Sequence, residues 1–312
     1  MSWQGIGTVV GLGEESTWAT EVARSVWAAV SSVSVKAAAR HEASDTLVHN
    51  SSNANLSHMF LAGVDVGGSI EIPACYEGGS CIGLLLKHAM GSVSTGSPSS
   101  SIYPHTFSLA SALPTGLTLE VLRGNSGVAE EVYGAKVGKL EFSIAAGQQA
   151  KIMVDLIAKN QQARASGGSP TLGTRYPILH KHGGTFAFNS VNYTSVNSFK
   201  LVIDNKLTRE QCLGSEYTQE PVRSQHSEIT IEVELNWSSN APYVAAIAGT
   251  EATASLTLTD GTNSLAISGT ARAIECDDPI SGPGTIKQRV KFRVLGALSV
   301  VLNNSKSSAV AD

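Results

Sequence analysis

The sequence predicts a mainly β protein that contains one strand-rich unit twice. Residues 228–237 alternate apolar and polar side chains, and residues 139–144 and 286–294 show the same period of two. Such alternation is typical of antiparallel strands with one buried and one solvated face. Helical patterns are few by comparison, so strands dominate the predicted fold.

A series of strand patterns in the first part of the chain recurs in the same order in the second part. The matched segments are 30–37 with 196–203, 67–74 with 227–235, 84–92 with 243–250, 118–124 with 255–261, and 148–159 with 286–296. A period this long indicates a duplicated domain rather than a short-repeat solenoid. The predicted division is a first domain at 1–165, a linker at 166–182, a second domain at 183–298 and a flexible tail at 299–312.

One short helix is predicted in each unit. GLLLKHAMG at 83–91 ends at a glycine, and APYVAAIAG at 241–249 has Pro242 near its start and a glycine at its end. Proline in the first turn and glycine after the last turn are frequent helix boundaries. Residues 14–29 fit either a helix or an irregular arm.

Three segments are predicted to lack regular structure. The N-terminal GIGTVVGLG is expected to be a flexible arm, and the serine-rich residues 92–101 a loop. Residues 40–66 form a long polar stretch with a small apolar patch at Met59–Leu61. Loops of this length in compact domains are usually functional or disordered.

Composition excludes several classes of protein. The chain has 312 residues, of which 42% are hydrophobic and 15% charged, as expected for a globular protein. Its net charge is −4 and no basic block occurs, so tight neutralisation of nucleic-acid phosphates is disfavoured. No uninterrupted apolar run reaches the length of a membrane-spanning helix, so no membrane partner is expected.

The chain carries no motif that predicts catalysis, metal binding or a cofactor. G-x-S-x-G, H-E-x-x-H and P-loop patterns are all missing, and His180 and His182 alone do not make a metal site. We therefore expect a protein that is not an enzyme. A link between Cys75 and Cys81 is sterically allowed, but the absence of a C-x-x-C pair favours unpaired thiols in a cytosolic chain.

Two charged ladders stand out in the second unit. One strand presents Glu228, Glu232 and Glu234, and another presents Lys287, Arg289, Lys291 and Arg293. If the strands are neighbours, the ladders pair with each other, and each exposed pair contributes a few tenths of a kcal/mol. Alternatively, one ladder faces a partner subunit or a channel. The sequence leaves both interpretations open.

The order of several further motifs resembles that of tail tube proteins from long, flexible-tailed bacteriophages. GLGEESTWAT at 11–20 resembles the N-terminal segment of that family, and residues 67–92 resemble its glycine–strand–loop–helix element. IYPHTFSL, LPTGLTLEVLRG and VYGAKVGKLEFSI then follow at 102–109, 113–124 and 132–144. The resemblance is continuous over about residues 5–160 and fainter over 185–296.

The resemblance implies two β-sandwich-like tube domains, each with a flanking helix, whose strands join those of neighbouring subunits in a closed barrel. Stacked rings would form the hollow tail tube that conducts DNA from capsid to host. Since single-domain subunits of the family form six-fold rings, two domains per chain predict a homotrimer with pseudo-six-fold symmetry, or alternatively a hexamer. The implied partners are the tape-measure protein, the tail terminator and distal tail proteins, and double-stranded DNA in transit. The implied location is the virion tail, after assembly in the host cytoplasm.

This interpretation assigns expected roles to particular side chains. A conduit for DNA needs a neutral to acidic inner face, because a basic one would bind phosphates along its length. The residues expected to line the lumen are Glu141, Asp155, Glu232 and Glu234. The residues expected to contact the next ring are His58, Met59, Phe60 and Leu61.

Two other functions fit the same fold class. One is a baseplate or distal tail ring protein that shares the tube fold, and the other is a β-sandwich receptor-binding or carbohydrate-binding module. The aromatic content of 6% disfavours a sugar-binding platform. Self-polymerisation into long tubes would separate the tube protein from the ring protein.

Overall fold

The computed structural model describes residues 5–43, 59–124, 128–164, 167–277 and 285–311. The strands of the first half are β1 (Val9–Glu15), β2 (Val26–Ala29), β3 (Ser32–Val33), β4 (Lys36–Ala43), β5 (Met59–Pro73), β6 (Gly91–Thr95), β7 (Tyr103–Leu109), β8 (Gly116–Leu122), β9 (Ala129–Ala145), β10 (Lys151–Ala158) and β11 (Asn160–Arg164). Those of the second half are β12 (Gly183–Phe188), β13 (Val191–Tyr193), β14 (Val196–Asp204), β15 (Leu207–Thr208), β16 (Val222–Arg223), β17 (Glu228–Asn236), β18 (Glu251–Thr259), β19 (Ser264–Asp277) and β20 (Lys287–Asn304). The helices are α1 (Ile82–Met90), α2 (Ala241–Ile247) and a 3-10 turn at His180–His182.

The prediction of a mainly β fold with one short helix in each half is confirmed. Eighteen strands form one hydrogen-bonded network, and β15 and β16 form a separate pair. All strand pairs within the described ranges are antiparallel. In these ranges the network does not close into a barrel within the single chain.

Strands in the two halves pair in the same order. In the first half, β4 pairs with β5, β5 with β10, β10 with β9, and β9 with β8. In the second half, β14 pairs with β17, β17 with β20, β20 with β19, and β19 with β18. The segments matched in the sequence occupy matching places in these two series.

Two long strands, β9 and β20, each change pairing partners along their length. Strand β9 pairs with β11 up to Tyr133 and with β8 up to Ala135, and with β10 and β14 beyond that point. Strand β20 pairs with β17 before Gly296, and with β7 and the first part of β19 after it. Gly134 and Gly296 have positive φ, 68° and 72°, a conformation that L side chains rarely adopt. Each glycine therefore lets its strand bend near the point where the pairing partners change.

A single hydrophobic core extends through both halves. A void of only about 10 Å³ is surrounded by Ile82 and Leu86 of α1, by side chains of β9, β10 and β14, and by Leu265, Ile267 and Val300 of the second half. In the second half, the ring of Phe292 packs at a tilt against those of Phe186 and Phe188, with centroids 5.6 and 4.7 Å apart. Side chains of both halves thus pack against helix α1.

The expectation of a loop at 40–66 is wrong at both ends of that segment. Strands β4 and β5 pair from Lys36 with Gly67 to Ala43 with Met59, so residues 40–43 and 59–66 form a long β-hairpin arm. Every residue of β4 is exposed, and because neither of its faces is buried, the sequence shows no apolar alternation there. Residues 44–58, and with them His58, lie outside the described residues.

The flexible tail expected at 299–312 begins instead as a strand. Strand β20 continues to Asn304, with Leu298, Val300 and Leu302 buried. The following residues are also held in place, since Ser305 Oγ donates to Glu77 at 2.7 Å. The apolar alternation of this segment is short and follows a glycine, which hid its continuity with the preceding strand.

The N-terminal segment is a buried strand and not a flexible arm. Strand β1 lies between β2 and β8, with Val10 and Leu12 buried. A Cβ atom on Gly13 would lie 2.4 Å from the carbonyl oxygen of Ala23. Gly13, and likewise Gly11, whose Cβ would lie 2.8 Å from Trp27, therefore serve close packing rather than mobility. Residues 14–29 contain no helix, and part of the predicted serine-rich loop at 92–101 is strand β6.

Candidate functional surface: a charged sheet face and two open edges

Strands from both halves join in one continuous sheet. Its order is β4, β5, β10, β9, β14, β17, β20 and β19, and the halves meet where β9 pairs with β14. In that joint, Lys139–Ala145 lies antiparallel to residues 198–204 over seven residue pairs. The backbone hydrogen bonds of one half thus run without interruption into the other.

The four predicted lumen residues all lie on one face of this sheet. Residues that oppose each other across an antiparallel pair point to the same side. One row of directly opposed residues crosses five strands of the sheet. It consists of Ser143, Lys200, Glu232, Lys291 and Glu275. Neighbouring rows bring Glu141, Asp155 and Glu234 to the same side. We call this side the charged face.

The charged face carries both acidic and basic side chains. The sequence-based expectation named only acidic residues for this surface. Its acids are Glu71, Glu141, Asp155, Asp204, Glu228, Glu232, Glu234, Glu275 and Asp277, and its bases are Lys139, Lys151, Lys200, Lys206, Lys287, Arg289, Lys291 and Arg293. The two sets are nearly equal in number. The ladders of β17 and β20 and the alternation of Lys139 and Glu141 in β9 are visible in the sequence, whereas Lys200, which alternates with buried residues in β14, was not predicted to join the same face.

The two charged ladders pair with each other, as the first of the two interpretations of the sequence expects. Lys287 and Arg289 lie 2.8 and 3.1 Å from Glu234, Lys291 lies 3.7 Å from Glu232, and Arg293 lies 2.8 Å from Glu228. Such pairs in contact with water contribute about 0.2–1 kcal/mol each. Their main effect is that each base already has a carboxylate beside it.

One ion pair also crosses the joint between the halves. Lys200 of β14 lies 2.9 Å from Glu141 of β9, and Lys139 lies 3.8 Å from the same carboxylate. Asp155 of β10 lies opposite Lys139 of β9, and it forms no ion pair with any described side chain. Charge compensation therefore continues across the boundary between the halves.

Two carboxylates of the charged face have lowered pKa values. The hydrogen bond from Lys287 is the main cause at Glu234, with a further contribution from Arg289. At Asp204, partial burial acts against the charged form, but hydrogen bonds from the Lys206 ammonium and backbone amide outweigh it and lower the pKa. Both groups are thus ionised at neutral pH.

The opposite side of the same sheet is the hydrophobic core. Residues between the charged positions are buried, including Phe142, Ile152, Leu201 and Val233. Side chains of β14, β17, β20 and β19 on the charged face line an open cleft of about 420 Å³. The sheet therefore has one dry face and one wet face, and the wet face carries the charge.

The sheet ends in two open edges. At one end, β3 and β4 each pair with β5 and with no other strand of the described ranges. At the other end, residues 273–277 of β19 pair with β20 alone among the described strands. The sequence did not reveal either edge, because strand order depends on pairing between distant residues. Unpaired edges present free backbone donors and acceptors that can pair with another chain.

Three of the residues expected to contact the next ring begin strand β5. Met59, Phe60 and Leu61 are exposed to 63%, 53% and 45%. They lie on the hairpin arm formed by β4 and β5, at the open end of the sheet. Their contact with a next ring stays a prediction.

The described residues contain no group of three or more His, Cys, Asp and Glu side chains suited to a metal ion. Within the same ranges, the helices are too short to cross a membrane.

Comparison with known proteins agrees with this structural description. The family model described as phage tail tube protein matches residues 5–294, which is nearly the whole chain. No curated protein shows a significant match. The chain therefore belongs to the phage tail tube protein family and is a structural component of the virion tail that self-assembles into a tube.

Proposed function

We propose that three copies of this protein close head to tail into a ring, and that the rings stack into a hollow tube that conducts double-stranded DNA. The observation that carries the proposal is the match between the two open edges. Inside the chain, the last part of β9 pairs with β14. At the ends of the sheet, the corresponding strands, β19 and the β3–β4 segment, have no such partner among the described residues.

The matching strand order of the two halves supports a duplicated tube unit. If β19 of one chain pairs with β3–β4 of the next as β9 pairs with β14, each chain advances the ring by two equivalent steps. A head-to-tail contact repeated by rotation closes a ring and removes every open edge of this sheet. Three chains would then give six tube units and pseudo-six-fold symmetry.

The charged face would line the lumen of such a ring. Duplex DNA carries one negative charge per roughly 1.7 Å, and each phosphate neutralised by a free base strengthens binding. On this face the bases of β20 already contact carboxylates of β17. A lumen of paired charges would let DNA slide because few bases are free to bind phosphates.

Other tail components complete the proposed assembly. The tape-measure protein would occupy the lumen before DNA enters, and the terminator and distal tail proteins would bind the two ends of the tube. The family resemblance supports these partners, and assembly would take place in the host cytoplasm.

Electron microscopy of the purified protein at high concentration tests the ring. We expect hollow rings or tubes, with three chains per ring when particle mass is measured on single rings. Six chains per ring would contradict the role of the second half in closing the ring. Compact monomers at every concentration, including in the presence of a preformed tube end, would contradict the tube itself.

Charge reversal tests the lumen. The double variant Glu232→Arg/Glu234→Arg would make the rows around Lys200 and Lys291 strongly basic, and we expect slower DNA ejection from intact tails, most strongly at low salt. Glu210→Arg is the matched control, because Glu210 is exposed but lies outside the charged face. Unchanged ejection in the double variant would show that this face is not the lumen.

A further inference from the structure

Helix α2 exposes an apolar face that none of the described residues covers. Val244 is exposed to 59% and Ile247 to 70%, and Tyr243 is also about half exposed. Ile274, on the strand against which α2 packs, is exposed as well. Clustered apolar side chains on the surface of a soluble protein usually mark a contact site. We call Tyr243, Val244, Ile247 and Ile274 the α2 face.

The chain covers the corresponding helix of its first half completely. When α1 and α2 are aligned on the glycines that follow them, Gly91 and Gly249, the counterparts of Tyr243, Val244 and Ile247 are Leu85, Leu86 and Ala89. All three counterparts are buried. The two helices thus share a position in the strand order but differ in what lies over them.

Part of the cover over α1 comes from the connection between β14 and β17. Asn205 Nδ2 donates to the carbonyl oxygen of Ala89, the next-to-last residue of α1, at 3.0 Å and to that of Val137 at 3.1 Å. Arg223, at the other end of the connection, donates to Asn205 Oδ1 at 2.8 Å and to the carbonyl oxygen of Ala110 at 2.7 Å. The two ends of the 205–227 segment are therefore fixed beside the end of a first-half helix, while its middle lies against β5, where the Val64 amide donates to the carbonyl oxygen of Glu216 at 2.8 Å.

The counterpart of this connection in the first half is the β4–β5 arm. The arm joins β4 to β5 as residues 205–227 join β14 to β17. In the sequence, the arm comes after the strand at the open edge of the sheet. Residues 205–227 likewise come after β14, the strand that pairs with β9. All of β4 is exposed, and Met59, Phe60 and Leu61 add large apolar side chains beside it. Each chain thus has one exposed apolar helix, α2, and one exposed apolar arm. The counterpart of that arm, residues 205–227, lies beside the end of the other helix, α1.

We propose that the α2 face binds the β4–β5 arm of the neighbouring copy in the same ring. This inference rests on the head-to-tail ring proposed above, in which β19 of one chain meets β3–β4 of the next. The contact made inside the chain between 205–227 and α1 would then be repeated between chains, with Phe60 and Leu61 supplying the apolar surface. The arm would therefore lie against a lateral neighbour rather than against the next ring along the tube.

Cysteine cross-linking distinguishes these arrangements. The variant Phe60→Cys/Ile247→Cys, in a Cys212→Ser background that removes an exposed thiol, is assembled and treated with a short bismaleimide. Lateral contact predicts a covalent ladder that ends at three chains, because the ring closes. Variants with only one of the two new cysteines, Phe60→Cys or Ile247→Cys in the same background, measure the cross-links that arise through the native thiols, above all the half-buried Cys276.

Each result has a distinct meaning. A ladder extending well beyond three chains would place the arm against another ring and overturn the inference. Rings without any cross-link above background would also overturn it and leave the proposed tube intact. Failure of the unmodified protein to form rings would overturn the tube and the inference together.

Substitution provides a second test that does not depend on cross-linking chemistry. Ile247→Glu is expected to raise the critical concentration for ring assembly tenfold or more, while the circular dichroism of the monomer stays unchanged because Ile247 is exposed. Val191→Glu places the same charge at an exposed apolar position on β13 and is expected to assemble normally. Equal effects of the two substitutions, or none at Ile247, would contradict docking on α2.

Discussion

The two halves of the molecule pair their strands in the same order but complete their structures differently. The first half buries helix α1 and an ionic cluster of Arg24, Glu120 and Glu131. The second half leaves α2 exposed, and at the position matching Glu120 it carries the exposed Thr257. Part of what covers the first half comes from the second half of the same chain.

Because of this difference, substitutions in the first half should mainly affect the stability of the isolated chain, and substitutions in the second half should mainly affect its assembly with other chains. A first-half residue that is buried in the isolated chain contributes to the free energy of unfolding. In the proposed ring, a second-half residue at the matching position would contribute mainly when another chain is present. Substitutions at paired positions can therefore test whether the second half is completed from outside.

The largest effect is expected at the buried ionic cluster of the first half. Arg24 Nε lies 2.7 Å from Glu120, its guanidinium also contacts Glu131, and the two carboxylates are almost completely buried. Arg24→Met would leave two buried carboxylates without that cation and should lower the free energy of unfolding by about 3–5 kcal/mol. Chemical denaturation measures the loss.

The control is an exposed ion pair of the second half. Arg272→Met removes the partner of Glu251, and both side chains are about half exposed. This change should cost less than about 1 kcal/mol. Similar losses in the two variants would show that burial does not distinguish the halves as described.

The helices provide the next comparison. Leu86→Ala removes a buried side chain at the centre of the core and should cost about 3 kcal/mol in the isolated chain. Val244→Ala, at the matching position of α2, should cost less than about 0.5 kcal/mol in the monomer but weaken ring assembly. Thermal unfolding of the monomer and sedimentation of the assembled protein measure the two effects. A large loss of monomer stability in Val244→Ala would mean that α2 is already covered within the chain.

A smaller effect is expected where the C-terminal segment crosses α1. A Cβ on Gly83 would lie 1.7 Å from the carbonyl oxygen of Ala309, so Gly83→Ala must displace the C-terminal segment. We expect a net cost of about 1–2 kcal/mol, since alanine otherwise favours a helix. In a chain truncated after Asn304 the same substitution should be neutral or stabilising. An equal cost in both backgrounds would place the conflict elsewhere.

The smallest effect is expected on the charged face. Because hydrogen bonds from Lys287 and Arg289 lower the pKa of Glu234, its stabilising contribution is present above the ordinary glutamate pKa of about 4.3 and is lost as pH falls through the lower folded-state value. Glu234→Gln should therefore cost under about 1 kcal/mol at pH 7 and nothing in strong acid. Denaturation curves across pH 2–7 measure the difference, with Glu232→Gln as the control because its ion pair is longer. A difference that grows toward low pH would contradict this assignment.

The sequence was informative where a strand has one buried and one wet face. Strands β17 and β20 and the end of β9 alternate clearly, and the residues proposed for the lumen proved to share one face. Strand β4 could not be predicted because it is exposed on both faces, and β1 was misread because its glycines resemble a loop. Pairing partners such as Lys200 and Glu141 are separated by many residues, so local sequence could not place them together.

The joint between β9 and β14 also bears on how such a ring would form. Because both strands belong to one chain, they meet at the high effective concentration that a covalent connection imposes, of the order of millimolar for short flexible linkers. In a three-chain ring, half of the six equivalent joints would be made during folding and would not depend on protein concentration. Only the other half would pay the translational and rotational entropy of association. A fused pair of units would therefore form complete rings at lower concentration than the same units made as separate chains.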